Sequence, residues 1–287
     1  MEYFTLANGS KIPAIGCGTV NYGREDRDLS KPLNGDFTAL DMAIANGYRL
    51  FDTAHAYGNE EGIGEHLQKS GVPREELYIS GKISNYAPFN VSPQSIRDSV
   101  HESMRLLRVD YLDMLLIHHA IPPKAEAAGL PMDEEKTLQL WETMVELMKE
   151  GDLRGIGVSN FEIDQLQWLM SKSSVKPMVD QIRSNPAIQN RELANFCIEN
   201  GILPEAHSPL NFAVKRGVKV KDPAYIAILE EIGAKYSKTW AQVILRYNFQ
   251  NGMVSVPGSF SDANQKANLA IFDFELTAEE MARLTVK

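Results

Sequence analysis

The chain has 287 residues, 44% hydrophobic and 23% charged, which is ordinary for a soluble globular protein and long enough for one α/β barrel of about 250 residues. Its formal net charge of −9 argues against a nucleic-acid binder, because no strongly basic face is implied. Two cysteines, Cys17 and Cys197, exclude a disulfide framework, and no stretch approaches the roughly 18 apolar residues of a membrane span.

Met1 to Asn8 has no basic segment followed by an apolar run, so it does not read as a signal peptide and a cytoplasmic protein is expected. Residues 3–14 predict a hairpin. Asn8-Gly9 at its centre suits a type I′ turn, which needs positive φ at both positions. Standing before the repeating pattern, the hairpin reads as a cap.

From Ile15 onward short apolar runs alternate with amphipathic stretches. Ile15-Gly16-Cys17-Gly18 is the first predicted strand, and Phe37 to Asn46 its helix. Leu50-Phe51-Asp52 is the second, followed by Glu60 to Ser70. Leu77 to Ser80 is the third, ending at Lys82. The helix after it starts at Ser92-Pro93, a cap residue with proline in the first turn, and places Ile96, Val100, Met104 and Leu107 on one face. Tyr111 to Ile117 ends at His118, and Asp133 to Glu150 follows with Gly151 as its stop. Leu153 to Val158 ends at Ser159-Asn160, before a helix from Glu162 to Ser171. Met178 to Gln181 precedes Arg191 to Asn200, and Ile202 to Ala206 ends at His207. Two helices, Pro223 to Tyr236 and Thr239 to Phe249, precede the last strand, Met253 to Val256, which ends at Pro257-Gly258-Ser259. Helices from Asp262 to Leu269 and from Thr277 onward close the chain.

Eight such alternations imply a parallel sheet closed into a (β/α)8 TIM barrel, with an N-terminal capping hairpin and extra C-terminal helices. No linker or low-complexity segment divides it, so residues 1–287 are expected to form a single domain. An open doubly wound sheet is the alternative. Gly16-Cys17-Gly18 lacks the third glycine of a dinucleotide-binding fingerprint, which weakens that alternative.

The strand ends of such a barrel meet at one face. They are Asp52, Lys82, His118, Ser159, Asn160, Gln181, His207, Gly258 and Ser259, with Tyr57 in the loop after strand two. Each alone has a plain reading as a helix cap, a solvated lysine or a packed aromatic; their convergence on one rim points to function. No serine or cysteine has a base beside it, so nucleophilic catalysis is not indicated. A tyrosine can transfer a proton if its pKa of about 10 is lowered. An ammonium about 4 Å away would favour the phenolate by about 4 kcal/mol, roughly three pKa units at most. A general acid without a nucleophile implies that the attacking group comes from a cofactor.

The residues that carry a resemblance are Gly47-Tyr48-Arg49-Leu50-Phe51-Asp52-Thr53-Ala54 with Tyr57-Gly58-Asn59-Glu60, Ile79-Ser80-Gly81-Lys82, and Leu115-Leu116-Ile117-His118. Gly155 to Phe161, His207-Ser208-Pro209-Leu210 and Asp273 to Thr277 extend it over essentially the whole chain. The chain resembles the aldo-keto reductase family, barrels that reduce aldehydes and ketones with NAD(P)H. The resemblance implies Tyr57 as proton donor, Lys82 and Asp52 as its tuning pair, and His118 as the group that positions the carbonyl. It implies Ser159, Asn160 and Gln181 around the nicotinamide carboxamide, with Thr19 and Asp52 near the ribose. His207, Ser208, Leu210, Gly258, Ser259, Asn264 and Asn268 complete the implied cofactor site, and Val20, Tyr57, His118 and His119 the substrate pocket.

Several positions depart from the family pattern. His207 stands where a tyrosine usually stacks on the nicotinamide, and His119 where a tryptophan often follows the histidine. Gly258 and Asn264 replace the lysine and arginine that NADPH-preferring members place on the 2′-phosphate, so the expected cofactor is NADPH with reduced discrimination against NADH. The basic run Lys215, Arg216, Lys219 and Lys221 reads either as a compensating contact, since family members fold this loop across the cofactor pyrophosphate, or as a solvated cationic loop. The loop from Val20 to Asp36 and the segment His119 to Met132 are expected to shape the pocket mouth. The chain ends at Lys287, soon after the last helix, which predicts an open pocket. The expected partner is a small carbonyl compound, with no nucleic acid, no membrane and a monomer or weak oligomer. The alternatives are a cofactor-binding regulatory subunit on the same barrel, as in potassium-channel β subunits, and a metal-dependent hydrolase. The second is disfavoured because the six histidines are scattered and adjacent ones on a strand, His118 and His119, would point to opposite faces; no metal site is predicted.

Overall fold

The computed structural model describes residues 1–24, 31–84, 92–215, 218–219 and 222–285. The first two strands, β1 (Tyr3–Thr5) and β2 (Lys11–Pro13), pair antiparallel with Phe4 opposite Ile12. The turn between them is not the expected type I′. Gly9 N donates to Leu6 O and Leu6 N to Ser10 O, while Gly9 (φ 85°) is left-handed and Asn8 is not. The arrangement is a type I turn closed by a glycine bulge. Asn8 acts through its side chain, whose Oδ1 accepts from Ser10 N at 3.0 Å.

Eight parallel strands follow: β3 (Cys17–Gly18), β4 (Leu50–Asp52), β5 (Tyr78–Ile83), β6 (Met114–Ile117), β7 (Ile156–Ser159), β8 (Val179–Arg183), β9 (Leu203–His207) and a last one. A short antiparallel pair, β10 (Ala213–Lys215) and β11 (Val218–Lys219), intervenes before that last strand, β12 (Val254–Val256). The order is β3-β4-β5-β6-β7-β8-β9-β12. The ring closes through a parallel bridge between Ile15 and Ser255, with Gly16 N donating to Ser255 O (2.9 Å) and Ser255 N to Ala14 O (3.1 Å). The first predicted strand is therefore split between this bridge and β3. At the seam a Cβ on Gly18 would lie 2.8 Å from Val256 O, and one on Gly258 would lie 2.9 Å from Gly18 O. Only glycine lets the two backbones approach so closely here.

The helices are α1 (Thr38–Ala45), α2 (Glu60–Lys69), α3 (Pro93–Leu107), α4 (Pro123–Ala127), α5 (Glu134–Glu150), α6 (Ile163–Lys172), α7 (Arg191–Glu199), α8 (Pro223–Tyr236), α9 (Trp240–Gln250), α10 (Asp262–Leu269) and α11 (Ala278–Leu284). The amphipathic segments expected as helices fold as helices; α4 and the β10–β11 pair were not legible in the sequence. At the start of α3 the Ser92 hydroxyl accepts from Ser95 N (3.2 Å), and Ile96, Val100, Met104 and Leu107 are buried on one face. Among the described residues no helix is long and apolar enough to cross a membrane.

Inside the barrel the lower layer is apolar. Leu6 and Ile12 from the hairpin pack against Leu50, Met114, Leu116, Val179, Val254 and Val256, so the hairpin plugs the N-terminal end of the barrel. Ile12 is fully buried. Ile12→Ala should therefore cost about 2 to 5 kcal/mol, the usual range for truncating a buried isoleucine. Equilibrium chemical denaturation of the two proteins measures it, and a loss below the noise of that measurement would mean the plug contributes little.

Candidate active site

The strand ends converge as expected. A cavity of about 550 Å³ opens at the C-terminal face of the barrel, lined by Val20, Asp52, Tyr57, His118, His119, Ser159, Asn160, Gln181, His207, Ser208, Leu210 and Gly258 of the predicted residues. Lys82 lies beneath the floor, 2% exposed. Thr19 is fully buried behind the wall, its hydroxyl donating to Asp52 O at 2.9 Å. Ser259 folds into a local turn, where its Oγ accepts from Ser261 N (3.2 Å). Asn264 is exposed on α10, and Asn268 is buried and hydrogen-bonded to the Tyr48 hydroxyl. These last four do not line the cavity. The contact expected from Lys215, Arg216, Lys219 and Lys221 falls on side chains outside the described residues.

The local structure explains the positions. Asp52 ends β4 opposite Ser80 on β5, and Lys82 is two residues further along β5, so both side chains point into the barrel. Lys82 Nζ donates to Asp52 Oδ1 and, at 3.2 Å, to Thr53 O. Tyr57 stands on one turn of 3-10 helix, His55–Tyr57, that ends at left-handed Gly58 (φ 66°). Arg24 fixes that turn by donating from Nη2 to Tyr57 O at 2.7 Å. Lys82 Nζ lies 5.3 Å from the Tyr57 ring centroid.

Lys82 acts on Tyr57 in the expected direction, but the net shift is upward. Burial raises the Tyr57 pKa above its ordinary 10; Lys82 pulls it down by charge and hydrogen bonding, Asp52 pushes it up, and burial prevails. The lysine therefore offsets part of a desolvation penalty rather than producing a phenolate. Burial works against the charge on Lys82, but the adjacent Asp52 and Tyr57 raise its pKa overall.

His118 packs edge-on to Tyr57, with ring centroids 5.7 Å apart. Burial first, then Lys82, His119 and His207, pulls its pKa down to about 2, so the imidazole is neutral at physiological pH. Its Nδ1 is buried without a partner. An unpaired lone pair there costs less than an unpaired N–H, which favours the tautomer with the proton on Nε2. The expectation that His118 and His119 diverge fails, because both lie beyond Ile117 at the end of β6, where strand alternation stops. Their rings stack at 4.4 Å. Even so, no group of three or more His, Cys, Asp or Glu among the described residues could hold a metal ion.

Around the far wall, Ser159 Oγ donates to Gln181 O (3.0 Å), and Asn160 Nδ2 donates to His118 O (3.0 Å) and Ser159 Oγ (2.9 Å). Asn160 adopts the left-handed region (φ 58°). Its Oδ1 sits 3.1 Å from His207 Nε2; since Asn160 Oδ1 can only accept, His207 Nε2 is the donor. Burial, Arg183, Lys82 and His119 bring the His207 pKa down to about 3.

Asn21 and Tyr22, in the loop expected to shape the mouth, line the cavity, and so do Arg183, Asn211, Phe212, Trp240 and Phe260, which the sequence reading does not name. Arg183 could have been found, since it lies two residues beyond Gln181 on the same strand, and Glu205 two residues before His207. Of His119 to Met132, His119 alone lines the cavity, and the chain then leaves into α4.

A (β/α)8 barrel with a buried lysine–aspartate pair beneath a tyrosine, and a neutral histidine beside it, defines an oxidoreductase-type site at the C-terminal rim. The pattern described as "Aldo/keto reductase family" matches residues 14–287. The chain belongs to that family, and it is an NAD(P)H-dependent enzyme that reduces carbonyl compounds. Glyoxal reductase of Bacillus subtilis (strain 168) is 36% identical over 281 residues, covering 97% of this chain and 90% of that protein. A methylglyoxal reductase of Escherichia coli O157:H7 is 32% identical over 279 residues, with 97% and 90% covered. The structure of a Bombyx mori aldo-keto reductase in complex with NADP aligns with a TM-score of 0.86 at 31% identity, covering 99% of this chain and 91% of that one.

Holding His118 neutral has a stability consequence. Below about pH 6.5 the unfolded chain protonates this histidine and the folded protein does not, so its contribution falls as pH falls from that value towards the folded pKa. The stability of His118→Asn relative to the parent should therefore rise between pH 6.5 and pH 4.5. Denaturation midpoints across that range check it; a constant difference would mean that His118 titrates normally.

Proposed function

We propose that Tyr57 is the proton donor of carbonyl reduction, that Lys82 and Asp52 tune it, and that His118 positions the carbonyl oxygen. The observation that carries this reading is the buried Lys82–Asp52 pair lying against Tyr57 beside a neutral imidazole. When bound, NAD(P)H supplies the hydride. Burial keeps the proton on Tyr57 until negative charge develops on the carbonyl oxygen. Lys82 then stabilises the phenolate left behind, and Asp52 keeps the ammonium charged and in place. His118 Nε2–H donates to the same oxygen without carrying a charge of its own.

Ser159, Asn160 and Gln181 hold the carboxamide, and His207 offers its ring face with Ser208 and Leu210 beside it. Thr19 steadies the Asp52 backbone near the ribose, and Gly258, Ser259, Asn264 and Asn268 receive the adenosine end. Likeness to the glyoxal and methylglyoxal reductases favours small aldehydes and dicarbonyls as substrates, taken up past Val20 and His119. The 287 residues act as one barrel unit in the cytoplasm, as a monomer or weak oligomer, and NADPH is the main cofactor with NADH also accepted.

Tyr57→Phe should keep cofactor binding and lose turnover of methylglyoxal by about 100-fold or more, the scale of a general acid. Retained turnover would remove Tyr57 from the role. Exposed Asn264 can take a larger side chain without the backbone approach that constrains Gly258. Asn264→Arg should raise the ratio of NADPH to NADH affinity by about tenfold, as one added charge-assisted contact gives about 1.5 kcal/mol. Fluorescence titrations of both cofactors measure it, and an unchanged ratio would place the 2′-phosphate elsewhere.

A further inference from the structure

A fourth polar side chain shares the barrel interior with Asp52, Lys82 and Gln181. Glu205, on β9, is 1% exposed, and its strand partner on β8 is Gln181. Gln181 Nε2 donates to Glu205 Oε1 and, at 2.8 Å, to Asp52 Oδ1. That same Asp52 oxygen accepts from Lys82 Nζ. A continuous hydrogen-bonded chain therefore runs from Glu205 through Gln181 and Asp52 to the ammonium against Tyr57.

Asp52, Lys82, Gln181 and Glu205 together hold two carboxyl groups and one ammonium, with the Arg183 guanidinium one step further up β8 at the rim. With Glu205 ionised the cluster carries a net negative charge in a dry environment; with Glu205 protonated it is neutral. Burial favours the neutral arrangement. The charged and titratable groups facing Glu205 are Asp52 from β4 and Lys82 and Tyr78 from β5. Burial and Asp52 push the Glu205 pKa up to about 7, against the opposing pull of Gln181 and Lys82.

Resting on the reductase reading of Tyr57, we propose that Glu205 is a positioning residue whose proton, carried or lost, sets through Gln181 and Asp52 how strongly Lys82 acidifies Tyr57. Ionised Glu205 adds negative charge on the far side of the lysine and opposes the phenolate. Protonated Glu205 leaves the Lys82 field uncancelled, so Tyr57 yields its proton more readily. Carbonyl reduction should then slow as pH rises through Glu205's titration.

The test uses the full chain and Glu205→Gln, which keeps the shape and the contact with Gln181 but cannot ionise. For methylglyoxal reduction at saturating NADPH, the parent kcat should step down near pH 7, and the variant should show no step. In cofactor-free protein, the Tyr57 phenol, read by ultraviolet difference titration against Tyr57→Phe, should ionise about one pH unit lower with Glu205→Gln than without it, the scale of one nearby buried charge. A step that persists in the variant, or an unshifted Tyr57 titration, overturns the role of Glu205. If the parent does not reduce the substrate, the reductase reading of this site fails separately, and the phenol titration still decides whether Glu205 acts on Tyr57.

Discussion

The ion pair between Lys82 and Asp52 is the constraint from which the rest of the site follows. Both partners are buried, and taking two charges out of water is costly unless geometry and hydrogen bonding compensate. Here the compensation is local. Adjacent parallel strands place the two residues on the same interior face, Thr53 O accepts a further hydrogen bond from the ammonium, and Gln181 donates to the carboxylate. Removing either partner would strand the other charge, so the pair, the strands that carry it and the amide that crosses to them from β8 form one unit.

That unit explains how a tyrosine can act as an acid without being ionised at rest. Burial and the nearby lysine pull in opposite directions on Tyr57, and burial is the larger effect. The proton therefore stays on the phenol until the reaction supplies negative charge, and the lysine stabilises what remains. The same dry surroundings, with the lysine close by, keep His118 neutral. One buried positive charge thus lowers the cost of ionising an acid on one side and suppresses protonation of a base on the other.

The strand ends were legible because polar residues close apolar runs: Asp52, Lys82, His118, Ser159 and His207 each stand out against the residues before them. Arg183 and Glu205 do not stand out, because the apolar pattern of β8 fades at Gln181 and Glu205 sits inside a short strand. Two-residue periodicity carried further along each strand places both on the interior side. Other features depend on contacts that no local pattern encodes. Arg24 reaches Tyr57 O from a loop 33 residues away. The His118–His119 stack exists because the strand ends one residue earlier than an alternation rule assumes. The hairpin turn departs from the type I′ expectation because Asn8 uses its side chain rather than its backbone freedom.

The interior of the barrel is layered along the strands in steps of two residues. Leu50, Tyr78, Val179 and Val254 form the lower layer over the hairpin plug; Asp52, Gln181 and Glu205 stand above, and Arg183 and His207 reach the rim. Tyr78 marks the boundary, since its hydroxyl is buried without a partner, below Glu205 and close enough to feel its charge. Leu6 and Ile12 close the barrel from beneath, and the polar layer faces the cavity above. A charge placed in that layer is weakly screened from below and is felt by its neighbours across the barrel. The hairpin, far from the chemistry, is therefore part of what lets burial and one ammonium together set both the phenol and the imidazole at the rim.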